Sequence, residues 1–290
     1  MNKTKRLDSV QHNALLNLKR TFCYIVLILI TILCLFFFYI LIVNATRAHA
    51  DIQKGFSFLP GSSILSNFNN AMSSPTLPIL HGVLNSLFVS TCVAILSTYF
   101  SALTAFGIHA YNFKFKKMAY TFILLIMMIP TQVSTLGFLN LMNGFGLMDT
   151  FVPLIIPSIS APITFFFMKQ YMDSALPLEI IEASRIDGAS EFRTFNKIVI
   201  PIMKPALAVQ AIFTFVGSWN NFFVPALVLK TAENKTLPIL IAQMRSADFL
   251  KFDMGQVYMI IAIAIVPVML VYFILSKFIV RGVAVGSVKG

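Results

Sequence analysis

Apolar residues in this chain come in long, nearly unbroken blocks separated by short polar gaps. A bilayer core needs about 20 apolar residues per helix. Six stretches reach that length: Thr21–Val43, Val83–Ala110, Met118–Met142, Leu147–Met168, Ala206–Leu229 and Gln256–Lys277. They divide the chain into an N-terminal segment (1–20), a first transmembrane helix (21–43), an external loop (44–82), a transmembrane core (83–277) and a C-terminal tail (278–290). The expected fold class is therefore an all-α membrane protein with six transmembrane helices. Ala48-His49-Ala50 after the first block resembles a signal-peptidase site. A signal peptide has an apolar core of only about 7–15 residues, so the longer block here reads as an uncleaved anchor.

The polar gaps orient the chain. The N-terminal segment carries Lys3, Lys5, Arg6, Lys19 and Arg20, and the gap between the second and third blocks carries Lys114, Lys116 and Lys117. Lys169, Arg185, Arg193, Lys197 and Lys204 lie between the fourth and fifth blocks, and Lys277, Arg281 and Lys289 at the end. The opposite side holds only Arg47, Lys54, Lys230, Lys235, Arg245 and Lys251 of the 22 basic residues. Short cytoplasmic loops are enriched in Lys and Arg, so both termini are expected in the cytoplasm.

Composition agrees with lipid as the solvent. Of the 290 residues, 58% are hydrophobic and 11% charged, against about 25% charged in soluble domains; the mean hydropathy is +0.83. The net charge of +11 would suit a nucleic-acid partner in a soluble protein. Here the basic residues are scattered between apolar blocks, so membrane topology and anionic headgroups account for them and no nucleic-acid partner is expected. Cys23, Cys34 and Cys92 fall inside apolar blocks in no CxxC or Cys/His arrangement, which supports neither a metal site nor disulfides.

The block interiors contain no Asp, Glu, Lys or Arg, and Asp149 and Lys277 fall at block ends. Proton-coupled carriers and voltage sensors need ionisable groups within the membrane, so this pattern argues against both. Neutral polar residues remain. Gln210, Thr214, Ser218 and Asn221 recur at spacings of four, four and three, beside Trp219 and Asn220, which would set them on one helical face. They either join helices by hydrogen bonds or line a path for an uncharged polar solute. Pro130 lies in the third block, and Pro153, Pro157 and Pro162 in the fourth, where kinks are expected. There is no phosphate-binding GxxxxGK[ST] loop and no nucleophile–base pair. The chain is not expected to be an enzyme, and any energy for pumping must come from another chain.

The gap between the fourth and fifth blocks is charged in both signs. Pro177 suits the start of a helix, Glu179 follows in its first turn, and Glu182 and Arg185 lie three apart on one face. Gly188 can end the helix in a left-handed conformation, and a second helix can start near Ser190. The result is a helix–turn–helix outside the membrane, with the bland alternative of a solvated loop.

Within it, Glu182-Ala183-Ser184, three residues, Gly188, nine residues and Ile198-Val199-Ile200-Pro201 resemble the EAA motif of permeases in binding-protein-dependent ABC importers. Ser184 and Ile200 depart from that motif's second Ala and its Leu. Asn85-Ser86-Leu87, Ile129-Pro130, Trp219-Asn220-Asn221-Phe222 and the tail from Arg281 to Gly290 are similar to the carbohydrate branch, in particular to the smaller permease of the maltose system. The tail departs from that pattern at Val283, Ala284, Val285 and Ser287.

The resemblance implies a MetI-like, type I importer permease forming half of a translocation path for a sugar or oligosaccharide. It assigns ATPase coupling to Glu182, Ala183, Ser184, Asp187, Gly188, Ile198 and Pro201, and the path to Gln210, Thr214, Ser218, Trp219, Asn220 and Asn221. Gly286, Val288, Lys289 and Gly290 would reach toward the ATPases. Implied partners are a second permease, two cytoplasmic ATPases and an extracytoplasmic solute-binding protein, which the loops 44–81 and 231–255 would meet. The chain itself needs no cofactor, since ATP and magnesium would sit on the ATPases. The alternatives are a permease of the same kind for glycerol phosphate or another polar solute and, from a different class, a secondary carrier or channel.

Overall fold

The structure, a computed structural model, describes residues 3–73, 77–246 and 253–286, with side chains over 16–73, 77–244 and 253–278. Every regular element among them is helical. Five stretches are long and apolar enough to cross a membrane: Leu16–Ala45, Ile79–Ala110, Val152–Ala175, Glu191–Trp219 and Met254–Phe278. A sixth is a helix pair, α5 (Lys116–Ile126) and α6 (Thr131–Gly144), bent by 96°.

Two compact units are present. The first gathers α1 (Lys3–Ala45), α2 (His49–Gln53), α3 (Ile64–Met72) and the start of α14 (Met254–Gly286). Arg47 is buried at its centre, and its guanidinium donates to Asn44 Oδ1 (3.2 Å) and to the carbonyls of Gly55 (3.0 Å) and Asp51. Asn67 Nδ2 donates to the carbonyls of Ala45 and Arg47 at 2.8 and 2.9 Å. The bond to Ala45 satisfies an orphan carbonyl at the end of α1, and the others tie the loop after it together. Gly255 meets the same knot so closely that a Cβ there would sit 2.7 Å from the Arg47 carbonyl oxygen.

The second unit is built on α4 (Ile79–Ala110), which packs against α8 (Pro162–Ala175), α11 (Ile200–Trp219) and α13 (Leu237–Ser246). Its buried stripe runs Ser86, Ser90, Ala94, Ser97, Ser101, Ala105 and Ile108. These positions fall at spacings of four or three, and nearly all are small, so neighbouring helices can approach closely without a driving force from water. Ser97 Oγ donates to Thr164 Oγ1 at 3.3 Å, and Ser101 Oγ to the Ala161 carbonyl at 3.4 Å. At one end of α4, Phe106 and Ile108 join Phe165, Met168, Met172, Phe195 and Met203 in a fully apolar core.

Three blocks differ from their sequence-based boundaries. The third does not run as one rod: Pro130 caps α6 with ψ 127°, because proline lacks an N–H and restrains the residue before it. The fourth is α7 (Val152–Ile155), a 3₁₀ turn (Ile156–Ile159) and α8, interrupted where Pro157 and Pro162 remove donors. Its last turns hold Lys169 and Asp173, further along than the predicted end at Met168. The fifth begins earlier than Ala206, through a π turn over Phe195–Val199, and stops at Trp219; α12 (Phe223–Val228) is separate. The predicted face through Gln210, Thr214 and Ser218 therefore ends before Asn221.

Asp149 fastens the start of the fourth span to the segment after α12. It adopts φ +60°, a conformation that Asp tolerates better than most residues. Its carboxylate accepts from the Lys230 and Thr231 N–H groups at 2.7 and 3.1 Å, and its carbonyl accepts from Asn234 Nδ2 at 2.9 Å. The Lys230 amide above all holds the Asp149 carboxyl below its usual 3.8. Its contribution is thus complete above that value and fades as pH falls through the lowered one. Asp149→Ala should destabilise the purified protein by about 1–2 kcal/mol at neutral pH. The gap between the two proteins in thermal melts should narrow on acidification below 3.8.

Candidate functional site

Two places stand out, an open helical face and an uncharged cavity. The first is the helix–turn–helix before α11. Pro177 precedes α9 (Leu178–Ile186), whose end forms a Schellman motif. Gly188 sits at φ +76°, its N–H reaches the Arg185 carbonyl (3.0 Å), and the Ala189 N–H reaches that of Ser184 (3.0 Å). A Cβ on Gly188 would meet nothing within 4 Å, so glycine is required for its backbone conformation and not for space. Ser190 then caps α10 (Glu191–Thr194), its hydroxyl accepting from the Arg193 N–H at 3.4 Å.

The two faces of α9 differ. The inner one places Ile181 (1% exposed) in the apolar core and buries Ser184. Ser184 Oγ donates to the Ile181 carbonyl (2.7 Å) and lies 3.0 Å from Thr194 Oγ1. Serine in place of the motif's alanine therefore adds a buried bond that ties α9 to α10. Arg185 braces the turn: Nε and one terminal nitrogen donate to the Glu191 carboxylate at 2.7 and 3.3 Å, while the guanidinium lies 5.2 Å from the Tyr111 ring centre. The hydrogen bond to Glu191 raises the Arg185 pKa above its ordinary value.

The outer face is open. Glu182, Ala183, Asp187 and Gly188 are exposed, Ile186 is 87% exposed and Phe192 of α10 is 70% exposed. Arg185 turns to Glu191 and not to Glu182, whose carboxylate has no ion pair among the described residues. Ile198 is partly buried in the π turn, and Pro201 is exposed in the first turn of α11.

The second place is a cavity of about 420 Å³ at the other end of α4. Its walls come from α4 (Ser86, Val89, Ser90), the start of α6 (Thr131, Ser134, Thr135, Phe138), the broken fourth span (Pro153, Leu154, Pro157, Ser158), Ser218, Asn221, α12 (Val224, Pro225) and Thr236 before α13. None of these residues is ionisable. The bend at Pro130 brings the hydroxyls of α6 here. Ser90 Oγ and Thr236 Oγ1 are buried with no protein partner, a condition that costs about 1–3 kcal/mol for each group.

Of the path residues expected from sequence, Ser218 and Asn221 border the cavity. Gln210 is buried in α11, and Thr214 Oγ1 donates to the Gln210 carbonyl at 2.7 Å. Trp219 is buried and stacked on Phe215 with ring centres 5.8 Å apart, and Asn220 is exposed. Gly286 ends α14, while Val288, Lys289 and Gly290 lie outside the described residues. Ser90 and Thr236 were not singled out from sequence. A hydroxyl in an apolar block has no distinctive spacing, and only the packing shows that it lacks a partner.

Known proteins place this geometry. The chain is 35% identical over 209 residues to an arabinooligosaccharide transport permease, AraQ of Bacillus subtilis, covering 71% of this chain and 72% of that one. It is 29% identical over 276 residues to a trehalose/maltose transport permease, MalG of Thermococcus litoralis (94% and 98%). It is 28% identical over 267 residues to a glycerol-3-phosphate transport permease, UgpE of Yersinia pestis (90% and 94%). In fold it resembles a chain of a bacterial ABC transporter that imports the acidic polysaccharide alginate, with TM-score 0.75 at 19% identity over 96% of this chain and 98% of that one. Residues 97–285 match the family described as the binding-protein-dependent transport system inner membrane component. With that match over more than half its length, the chain belongs to this family of membrane permeases.

Proposed function

We propose that this chain is one of two permease subunits of an ABC importer for a neutral sugar or oligosaccharide, driven by separate cytoplasmic ATPases. The observation that carries the coupling is the asymmetry of α9. Its inner face is embedded through Ile181 and Ser184, while its outer face leaves Glu182 unpaired and Ile186 bare. A helix held on one side and open on the other can transmit a push into the core it shares with α4 and α8.

In this reading the Glu182 carboxylate meets a basic group in a groove of the ATPase, and Ile186 and Phe192 fill apolar space beside it. ATP and magnesium sit on the ATPases, whose closure moves α9 between two discrete arrangements of the spans. The excess of basic residues on the α9 side supports cytoplasmic termini. The family description supports delivery by an extracytoplasmic binding protein to the opposite side. The absence of any ionisable residue from the cavity wall favours a neutral cargo over a phosphate ester, which would leave its charge unpaired. It also disfavours a proton-coupled carrier.

Three variants test the coupling. Glu182→Lys should abolish uptake and substrate-stimulated ATP hydrolysis in the reconstituted complex, with membrane insertion intact; full transport by this variant would refute the docking role. Gly188→Val, strained by about 1–2 kcal/mol at φ +76°, should do the same. Arg185→Gln removes a partly exposed brace worth about 1 kcal/mol. It should lower uptake several-fold while ATPase subunits still co-purify, and unchanged uptake would show the brace to be dispensable.

A further inference from the structure

We infer that this subunit itself grips the cargo, through the hydroxyls of Ser90 and Thr236, and that the ligand they take is a neutral, hydroxyl-rich ring such as a glycosyl unit. The inference rests on the sugar-import reading and assigns a contact within it.

Hydroxyls around the cavity differ in their partners. Ser134, Thr135 and Ser158 donate to backbone carbonyls one helical turn earlier, at 3.0, 2.8 and 2.6 Å. Ser86 Oγ accepts from the Leu237 N–H at 2.8 Å. Ser90 and Thr236, 0% and 3% exposed, have no protein partner at all. Buried polar groups left in this condition are few in native proteins and call for a reason.

Both residues have a local partner within reach of their type and do not take it. Ser90 lies on α4, where Thr98 and Thr104 donate to the carbonyls four residues back at 2.6 and 2.8 Å; Ser90 does not. The Thr236 carbonyl accepts from the Ile239 and Leu240 N–H groups, which places Thr236 at the N-cap of α13. A threonine there ordinarily accepts a backbone N–H with its hydroxyl, yet Oγ1 stays unpaired. Both hydroxyls thus remain unpaired in the fold, and both border the same uncharged cavity of about 420 Å³.

The rest of the wall suits the same ligand. Phe138, Leu154 and Pro225 supply apolar surface against the C–H face of a sugar ring. The wall offers no cation for a phosphate or carboxylate and no anion for an amine. Both oxygens are covered in this conformation, so a ring with several hydroxyl oxygens would pair with them as the spans shift, whereas an apolar solute would leave both unmet.

The test uses the complete importer, with its second permease, ATPases and binding protein, in proteoliposomes. Uptake of a panel of radiolabelled neutral di- and trisaccharides is measured, with glycerol 3-phosphate as the anionic control. For a saccharide that is transported, its monodeoxy analogues are compared in the wild type, Ser90→Ala, Thr236→Val and the double variant, with Thr236→Ser as the hydroxyl-retaining control. Each lost hydroxyl should slow uptake of the parent sugar by about 3- to 10-fold, and Thr236→Ser should restore the rate. In each variant one particular deoxy analogue should show no further loss, the signature of a direct pair in a double-mutant cycle. If the wild type moves only glycerol 3-phosphate, the sugar reading falls and this inference with it. If neutral saccharides are moved but the double variant is unimpaired, or is slowed equally for every analogue as a bound water or a packing role would require, the sugar reading stands and the grip by Ser90 and Thr236 is overturned.

Discussion

The close approach of helices along α4 is the constraint on which the rest of this molecule depends. Lipid gives no hydrophobic reason for one apolar helix to prefer another. Attraction has to come from dispersion and from a few hydrogen bonds, and both fall off steeply with distance. The stripe from Ser86 to Ala105 meets that requirement by being small, and its serines reach Thr164 and the Ala161 carbonyl on the neighbouring span. Where the stripe ends, large residues take over: Phe106 and Ile108 fill the core that anchors α9. Toward the opposite end the stripe stays small at Gly82, Ser86 and Ser90, and a cavity forms beside the two serines. One helix thus supplies a tight seam, a packed anchor and an open chamber by changing the size of its side chains along its length.

Much of this was legible in the sequence, for physical reasons that can be named. Apolar block length and the distribution of lysine and arginine report how each segment meets lipid and water, and those are local properties. The α9 turn was legible because its signals are also local: Pro177 at the start, Gly188 at the left-handed position and Ser190 at the next cap each act on their own backbone. Block boundaries were less so. Pro130 was visible, but a proline inside an apolar block fits a mild kink as well as the 96° bend found here. Likewise Leu229 looked like the end of the fifth helix because the residues past Trp219 remain apolar, although the chain breaks at Asn220 and Asn221.

Pairings were the hardest to read. Glu182 and Arg185 stand three apart on one helix, yet Arg185 prefers Glu191, which offers a forked contact across the turn beside the Tyr111 ring. Asp149 fastens segments about 80 positions apart in sequence, and no periodicity encodes such a bond. The free hydroxyls of Ser90 and Thr236 are the extreme case, since they are defined by what does not contact them.

In the proposed mechanism the docking surface and the cavity belong to opposite ends of one helix. A push delivered at α9 would act through Ile181 on the Phe106–Phe195–Met203 core. That core is close-packed and resists compression, so the disturbance would pass along α4 as a rigid shift instead of being absorbed. At the far end α4 is tied to the start of α13 and the segment before it by hydrogen bonds: the Leu237 N–H donates to Ser86 Oγ, and Asn85 Nδ2 donates to the Glu233 and Lys235 carbonyls. Segments broken by proline border it at Pro153, Pro157 and Pro225, and these lack part of the backbone ladder that stiffens an intact helix. Stiffness near the lever and compliance around the chamber are what a pump of this kind requires: the first conserves the displacement, and the second lets that displacement change what the chamber can hold.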